Sequence, residues 1–421
     1  MDLKSVRASR LAAIALAIMV VAASRPAAGQ PSFAQFDRRA GAGERLNVVF
    51  FGASLTWGAN ASDPQLTSYR ALIGRRLEEA YPRAHFKFWD AAIGGTNSQL
   101  GVFRFDRDVL SRKPDLVLLD FSANDDINSA TPETLASYES LVRRIVLDAR
   151  APVVQVIFPF QWDVARGTTQ GMPRRDAHLA IAKAYRTAVG DAIELAQRRV
   201  RLGKTTIERL WPVDGVHPCD HGYELFADAA WDAFRKAVDD KVECVAPAVM
   251  LHAPTYVTNV RMPLTALGPL PEGWRAGRPS VVSAYFDMLM SRWLGEEAIA
   301  SNRSGSAGRR TAPLRAKFHG SMVMLFGEST PSSAKFLALL DGKVVEHKSA
   351  DKKQTLREFD AAGFARLISG KAYLVQVLAE GLDPDVEHTL EIQPIFADGA
   401  EQELRIESIC VAGGKATVVA P

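Results

Sequence analysis

Cysteine is scarce in this chain, with three in 421 residues: Cys219, Cys244 and Cys410. Their spacing fits no zinc motif, so a cysteine-ligated metal centre is not expected. In an oxidising compartment one disulfide can form and one thiol is left over; Cys244–Cys410 is the pairing favoured here, Cys219–Cys410 is a second, and three buried unpaired thiols are the alternative to any bridge. No cluster of His and Asp has ligand-like spacing either, and no metal or other cofactor is expected.

A large charge excess is also missing. The formal net charge is +3, and it comes from the first 29 residues, where Lys4, Arg7, Arg10 and Arg25 stand against Asp2. Without that segment basic and acidic side chains balance, which leaves no electrostatic case for nucleic acid as a partner. The apolar run Leu11 to Ala23 is shorter than the ~20 residues of a membrane-spanning helix. With a basic stretch before it and Ala27-Ala28-Gly29 after it, residues 1–29 read as a secretory signal peptide. The expected location is secreted or periplasmic, with no stable membrane anchor after cleavage. The segment has no Arg-Arg pair and no Cys near its end, so twin-arginine export and lipoprotein anchoring are not signalled.

What is present is a long alternation of short apolar runs and helical periodicity over residues 45–245. Leu46 to Phe51, His85 to Trp89, Asp115 to Phe121 and Pro152 to Pro159 read as strands. Ser68 to Tyr81, Thr131 to about Arg150, Pro173 to about Val200 and Asp220 to about Lys241 read as helices, the second opened by Thr131-Pro132-Glu133. Continuous apolar strands between helices predict an α/β fold with a parallel sheet covered on both faces. After Cys244 the character changes. Several prolines break up any helix, and six β-like runs follow between Leu314 and Val411. Asp341-Gly342 and Asp398-Gly399 read as hairpin turns. Residues 246–421 are therefore expected to form a mostly antiparallel β-sandwich, with Val281 to Leu294 ambiguous between strand and helix.

Four short stretches carry the chemistry. Gly52-Ala-Ser54-Leu-Thr56 closes the first strand, so Ser54 stands at the carboxyl edge of a parallel sheet, where open α/β sheets bind ligands. Gly94-Gly95 and Ser122-Ala-Asn124-Asp125 follow the next two strands. The Ser54 N–H, the Gly95 N–H and the Asn124 amide can together hold an oxyanion. Asp214-Gly-Val-His217 can aim a carboxylate and an imidazole in sequence at Ser54, as base and orienter. Taken one by one, these are also a turn serine, a tight turn, an Asx turn and a surface turn. The second Gly of the G-x-S-x-G elbow is lacking, which argues against an ordinary α/β-hydrolase. His178 lies on a helix with no matching partners and reads as structural.

The ordered stretches resemble the blocks of the SGNH (GDSL-like) hydrolases: Ser54 in the first, Asp90 to Gly95 in the second, Ser122 to Asp125 in the third and Asp214 to Pro218 in the last. Asp90 stands where that family often has Asn, and Ser122 where it often has Gly. The resemblance covers about residues 46–240 and implies a flavodoxin-like three-layer fold and a metal-independent esterase or acyltransferase. Phe318 to Phe326 and Glu380 to Leu390 resemble the jelly-roll modules of carbohydrate esterases, although there the module precedes the hydrolase. The reading is a serine esterase with catalytic Ser54, Asp214 and His217, acting on an acylated, most simply acetylated, carbohydrate. The rivals are a polysaccharide O-acetyltransferase with the same triad, a lipid esterase, and a glycan-binding protein on a retired hydrolase scaffold.

Overall fold

The structure, a computed structural model, describes residues 29–280, 293–303, 311–349 and 352–421. The expected signal segment, apart from Gly29, and all of the ambiguous segment but Trp293 and Leu294 lie outside the described residues.

A five-stranded parallel sheet organises the first half. Its strands are β1 (Arg45–Gly52), β2 (His85–Ala92), β3 (Leu116–Leu119), β4 (Val153–Ile157) and β5 (Ala188–Asp191), in the spatial order β2-β1-β3-β4-β5. β3 and β4 are buried along their whole length, the condition of a parallel strand covered on both faces. The first helices are α1 (Phe33–Gly41), α2 (Ser54–Trp57), α3 (Tyr69–Ala80), α4 (Ser98–Asp108) and α5 (Pro132–Arg144). They are followed by α6 (Gln161–Ala165), α7 (Pro173–Tyr185), α8 (Ala192–Arg201), α9 (Ile207–Leu210) and α10 (Asp220–Asp239). α10 packs on α1, α3 and α8, while α5 packs on α4 and α7, giving the two helical layers of a three-layer α/β fold.

The single helix expected from Pro173 to Val200 is two helices around a strand. Arg186 adopts a left-handed conformation (φ 53°) and caps α7. β5 follows as the sheet's edge, and the side chain of Asp191 then accepts from Glu194 N–H to open α8. Four residues of strand are too few for alternation to stand out against the helical periodicity on either side.

The second half is an antiparallel β-sandwich. One sheet runs Ala372–Glu380, Met322–Ser329, Glu403–Ala412, Glu297–Ser301, Trp274–Gly277, with Asn259–Pro263 also paired to Glu403–Ala412. The facing sheet runs Lys343–Val344, Lys335–Leu340, His388–Ile395, Leu314–His319, Thr417–Val419. Asp341 (φ 51°) and Gly342 (φ 76°) make the expected two-residue hairpin turn, since both central positions need positive φ. Asp398-Gly399 does not make a hairpin. The strand before it, His388–Ile395, belongs to one sheet and the strand after it, Glu403–Ala412, to the other. A turn dipeptide reverses the chain, but core packing chooses the sheet that the next strand joins.

The first sheet of the sandwich buries both faces. Val323, Leu325, Ile406 and Ile409 face the sandwich interior with Phe336 and Ile392. Met322, Met324, Phe326 and Cys410 instead join the core of the α/β half. The three cysteines are unpaired, so the expected Cys244–Cys410 bridge is absent. Cys410 sits mid-strand, registered between Met324 and Arg261. The backbone N–H of Cys244 is tied to Pro31 O. Burial pushes both thiols up to about 12, which makes them unreactive packing groups.

Candidate active site

The parallel register lines up the carboxyl ends of the strands: Gly52 lies beside Ala92 and Phe51 beside Leu119. The loops that leave these ends carry Ser54, Gly95 and Asn124 to one edge of the sheet. Ser54 opens the short helix α2 immediately after β1. The loop before α10 brings His217 over it, and His217 Nε2 stands 3.0 Å from Ser54 Oγ. Both residues are 4 % exposed, enclosed but reachable.

Asp214 grips the imidazole and its own loop together. Its Oδ1 accepts from the backbone N–H groups of Val216 and His217, both at 2.7 Å. Its Oδ2 lies 3.3 Å from His217 Nδ1 and accepts from Asn60 Nδ2 at 2.8 Å. Burial alone would raise the Asp214 pKa, but these hydrogen bonds outweigh it and hold the carboxyl below its ordinary range. An ionised carboxylate can only accept, so Nδ1 carries the proton and the Nε2 lone pair faces Ser54. Burial lowers the His217 pKa, and the charge of Asp214 offsets only part of this. The imidazole is therefore neutral near pH 7, the form that can take a proton.

Gly95 adopts φ +72°, and a Cβ there would stand 2.6 Å from a ring carbon of Phe364. Glycine is required on both grounds. Phe364 belongs to a short helix, Gly363–Leu367, of the β-sandwich half, so that half reaches the turn that carries Gly95. Gln99, in the first turn of α4, donates to Tyr256 Oη at 2.7 Å and to Glu380 Oε1 at 2.6 Å, bracing the same region from the sandwich side.

Asn124 is half-buried, and among the described residues its side-chain amide makes no hydrogen bond. Its neighbour Asp125 accepts from Ser98 N–H at 2.9 Å and lies 3.7 Å from the buried Arg174, which fixes the turn. The two departures from the usual blocks have local partners. Asp90 accepts from Ala92 N–H at 3.0 Å and pairs with Arg70 at 3.6 Å. Ser122 Oγ accepts from Phe158 N–H at 2.9 Å, tying the ends of β3 and β4.

Residues 50–225 match the model of the GDSL-like lipase/acylhydrolase family. This stretch is a GDSL-like hydrolase domain. Among solved structures, the whole chain resembles a two-domain esterase (CEX) active on acetylated mannans. The two are 22% identical with a TM-score of 0.69, over 91% of this chain and 95% of that one. The same esterase co-crystallised with mannopentaose gives a TM-score of 0.70 at 22% identity. The likeness of fold runs through both halves. An acetylxylan esterase from Geobacillus stearothermophilus is 20% identical over 45% of this chain and 94% of its own, with a TM-score of 0.38. No curated protein matches the chain.

Three neighbours of the site were not legible as such in the sequence: Asn60, Phe364 and Asp120. Asn60 lies in the turn after α2 with φ 65°, a conformation that Asn tolerates better than most residues. Its position six residues after Ser54 was the available signal. Asp120 is fully buried at the end of β3 and accepts from Thr56 Oγ1 at 3.2 Å, beneath the short helix that Ser54 opens. Burial, partly offset by hydrogen bonds from Thr56 and Ser122, pushes its pKa up to about 7. His178 is buried and stacked on Tyr138 with ring centroids 3.6 Å apart. Among the described residues no group of three or more His, Cys, Asp or Glu is placed to hold a metal ion, and no helix is long and apolar enough to cross a membrane.

Proposed function

We propose that the protein is an exported serine esterase that removes acetyl groups from a polysaccharide or oligosaccharide. The observation that carries this is the relay Asp214–His217–Ser54, with a neutral imidazole 3.0 Å from the serine oxygen. Ser54 Oγ attacks the ester carbonyl while His217 Nε2 takes its proton. The Ser54 N–H, the Gly95 N–H and the Asn124 amide hold the negative oxygen of the tetrahedral intermediate. His217 then gives its proton to the departing sugar oxygen, leaving an acetyl-enzyme. A water, deprotonated by His217, attacks the acetyl carbonyl, and acetate leaves as Ser54 regains its proton. The activity of the two-domain neighbour on acetylated mannans supports a carbohydrate ester as the substrate. The basic, apolar and small-residue stretches of residues 1–29 support export. The change of character after Cys244 supports a division into a hydrolase domain, 45–245, and a β-sandwich domain, 246–421.

The test is acetate release from acetylated mannan and acetylated xylan by the purified mature chain, alongside Ser54→Ala. Removal of a triad member is expected to cost several orders of magnitude in rate without unfolding the protein. Asn124→Ala is expected to cost roughly 10²–10³ in kcat, as for other oxyanion donors. A folded Ser54→Ala protein that kept wild-type turnover would overturn the mechanism. Acetyl transfer to a glycan hydroxyl in preference to water would make the protein an acetyltransferase.

A further inference from the structure

We infer that the bound ester lies across the carboxyl edge of the parallel sheet, with its sugar on Trp162 and its acyl group beside Phe364; this rests on the esterase reading above. The strand order β2-β1-β3-β4 sets out the loops along that edge. Gly95 follows β2, Ser54 follows β1, Asn124 follows β3 and Trp162 follows β4. Phe364, against Gly95, and Trp162 therefore stand on opposite sides of the nucleophile.

The proton chemistry orients the substrate along this line. The departing sugar oxygen must reach His217 Nε2 to be protonated, so the sugar lies on the His217 side. Trp162 is the aromatic ring attached to that loop. The backbone N–H of Gln161 donates to Gly215 O at 2.8 Å, and a Cβ on Gly215 would stand 3.0 Å from the Trp162 ring. The next two residues of α6, Asp163 and Val164, are buried, whereas Trp162 is 49 % exposed. Phe160 stiffens the indole from one side, with ring centroids 4.9 Å apart. An exposed indole anchored against Gly215, two residues before His217, fits the apolar C–H face of a pyranose.

The carbonyl oxygen of the same carbon points at the oxyanion donors, and the acyl substituent leaves by the remaining bond, on the side of the nucleophile away from the sugar. There the Phe364 ring occupies the space beside Gly95. With the acyl group on that side, the ring would cap the space for its chain and favour a short acyl group over a long one. The β-sandwich half thus supplies a determinant of acyl length to a site built by the α/β half.

The experiment compares kcat/KM for the full chain and its Trp162→Ala, Trp162→Phe, Phe364→Ala and Phe364→Leu variants. The substrates are ethyl acetate, ethyl hexanoate and acetylated mannooligosaccharides; alkyl rather than aryl esters keep the leaving group from stacking on Trp162. Trp162→Ala is expected to lower the ratio of oligosaccharide to ethyl acetate activity about tenfold, chiefly through KM, with Trp162→Phe intermediate. The Phe364 variants are expected to raise the ratio of hexanoate to acetate activity by about tenfold, the alanine more than the leucine. Unchanged ratios in folded variants would overturn the proposed orientation. Loss of Ser54-dependent hydrolysis of every ester by the wild-type chain would instead overturn the esterase reading itself.

Discussion

Asn60 donates its side-chain amide to Asp214 Oδ2 at 2.8 Å and to the backbone oxygen of His217 at 3.3 Å, joining the nucleophile's own turn to the loop that carries the imidazole. The serine and the histidine are 163 residues apart in sequence, and their 3.0 Å approach depends on two loops holding a fixed relation. Asn60 is a positioning residue for that relation. Asn60→Gly keeps the positive φ and removes the amide. The lost hydrogen bond to a charged group is worth about 1.5–3 kcal/mol, so kcat is expected to fall roughly tenfold or more. Asn60→Asp sets a carboxylate against Asp214 and should do worse at neutral pH, with partial recovery as the pH falls. Equal kcat in all three proteins would remove Asn60 from the relay.

The pH profile follows from His217. Its pKa is lowered by burial below the ordinary 6.5, and catalysis needs the neutral ring. The acid limb of kcat/KM is therefore expected below pH 6.5, with full activity above it. Asp214→Asn removes the charge that raises the imidazole pKa, so the limb should move further toward acid while kcat drops roughly 10²–10⁴-fold. A limb above pH 6.5 on an alkyl acetate would contradict the assignment of His217 as base.

Asp120 gives a stability prediction of opposite sign from the usual carboxylate. Its folded-state pKa of about 7 lies well above an unfolded value of ~3.9, because burial penalises the ionised form. The folded state then holds the proton more tightly. Its contribution is fully present below about pH 4 and is lost as the pH rises toward 7, on the order of a few kcal/mol. Asp120→Asn should accordingly raise the melting temperature at pH 8 and change it little at pH 5. A variant less stable at pH 8 than at pH 5, relative to wild type, would refute this.

Arg104 ties the back of the site together. Its side chain is 0% exposed and donates to Ala91 O at 2.7 Å and Gly52 O at 2.8 Å, the ends of β2 and β1, while pairing with Asp108 at 3.1 Å. Phe51, Phe121 and Trp293 surround the guanidinium, Trp293 from beyond the α/β half. Arg104→Leu would take a charged donor from the Ala91 and Gly52 carbonyls, leaving Gly52 O with the Ile93 N–H, and would weaken a buried ion pair, at a cost of about 3 kcal/mol or more in chemical denaturation. A loss under 1 kcal/mol would show that the carbonyls find other donors.

The sequence by itself determined the kind of fold and the order of the parts. The apolar run Val48 to Phe51, bounded by turn residues, reads as a buried strand, and Asp341-Gly342 reads as a sharp turn, because burial and positive φ are local demands that the residues themselves state. The same holds for the sequence Ser54, Gly95, Asn124, Asp214 and His217 as a set of chemically complementary groups. Tertiary structure alone decided how far apart these groups stand, that β5 interrupts the expected long helix, and that the strand after Asp398-Gly399 crosses to the other sheet. It also decided that Asn60, Asp120 and Phe364 border the site. Their roles arise from long-range register and from the packing of one half against the other. A contact between residues 95 and 364 leaves no periodicity or spacing in the chain from which it could be read.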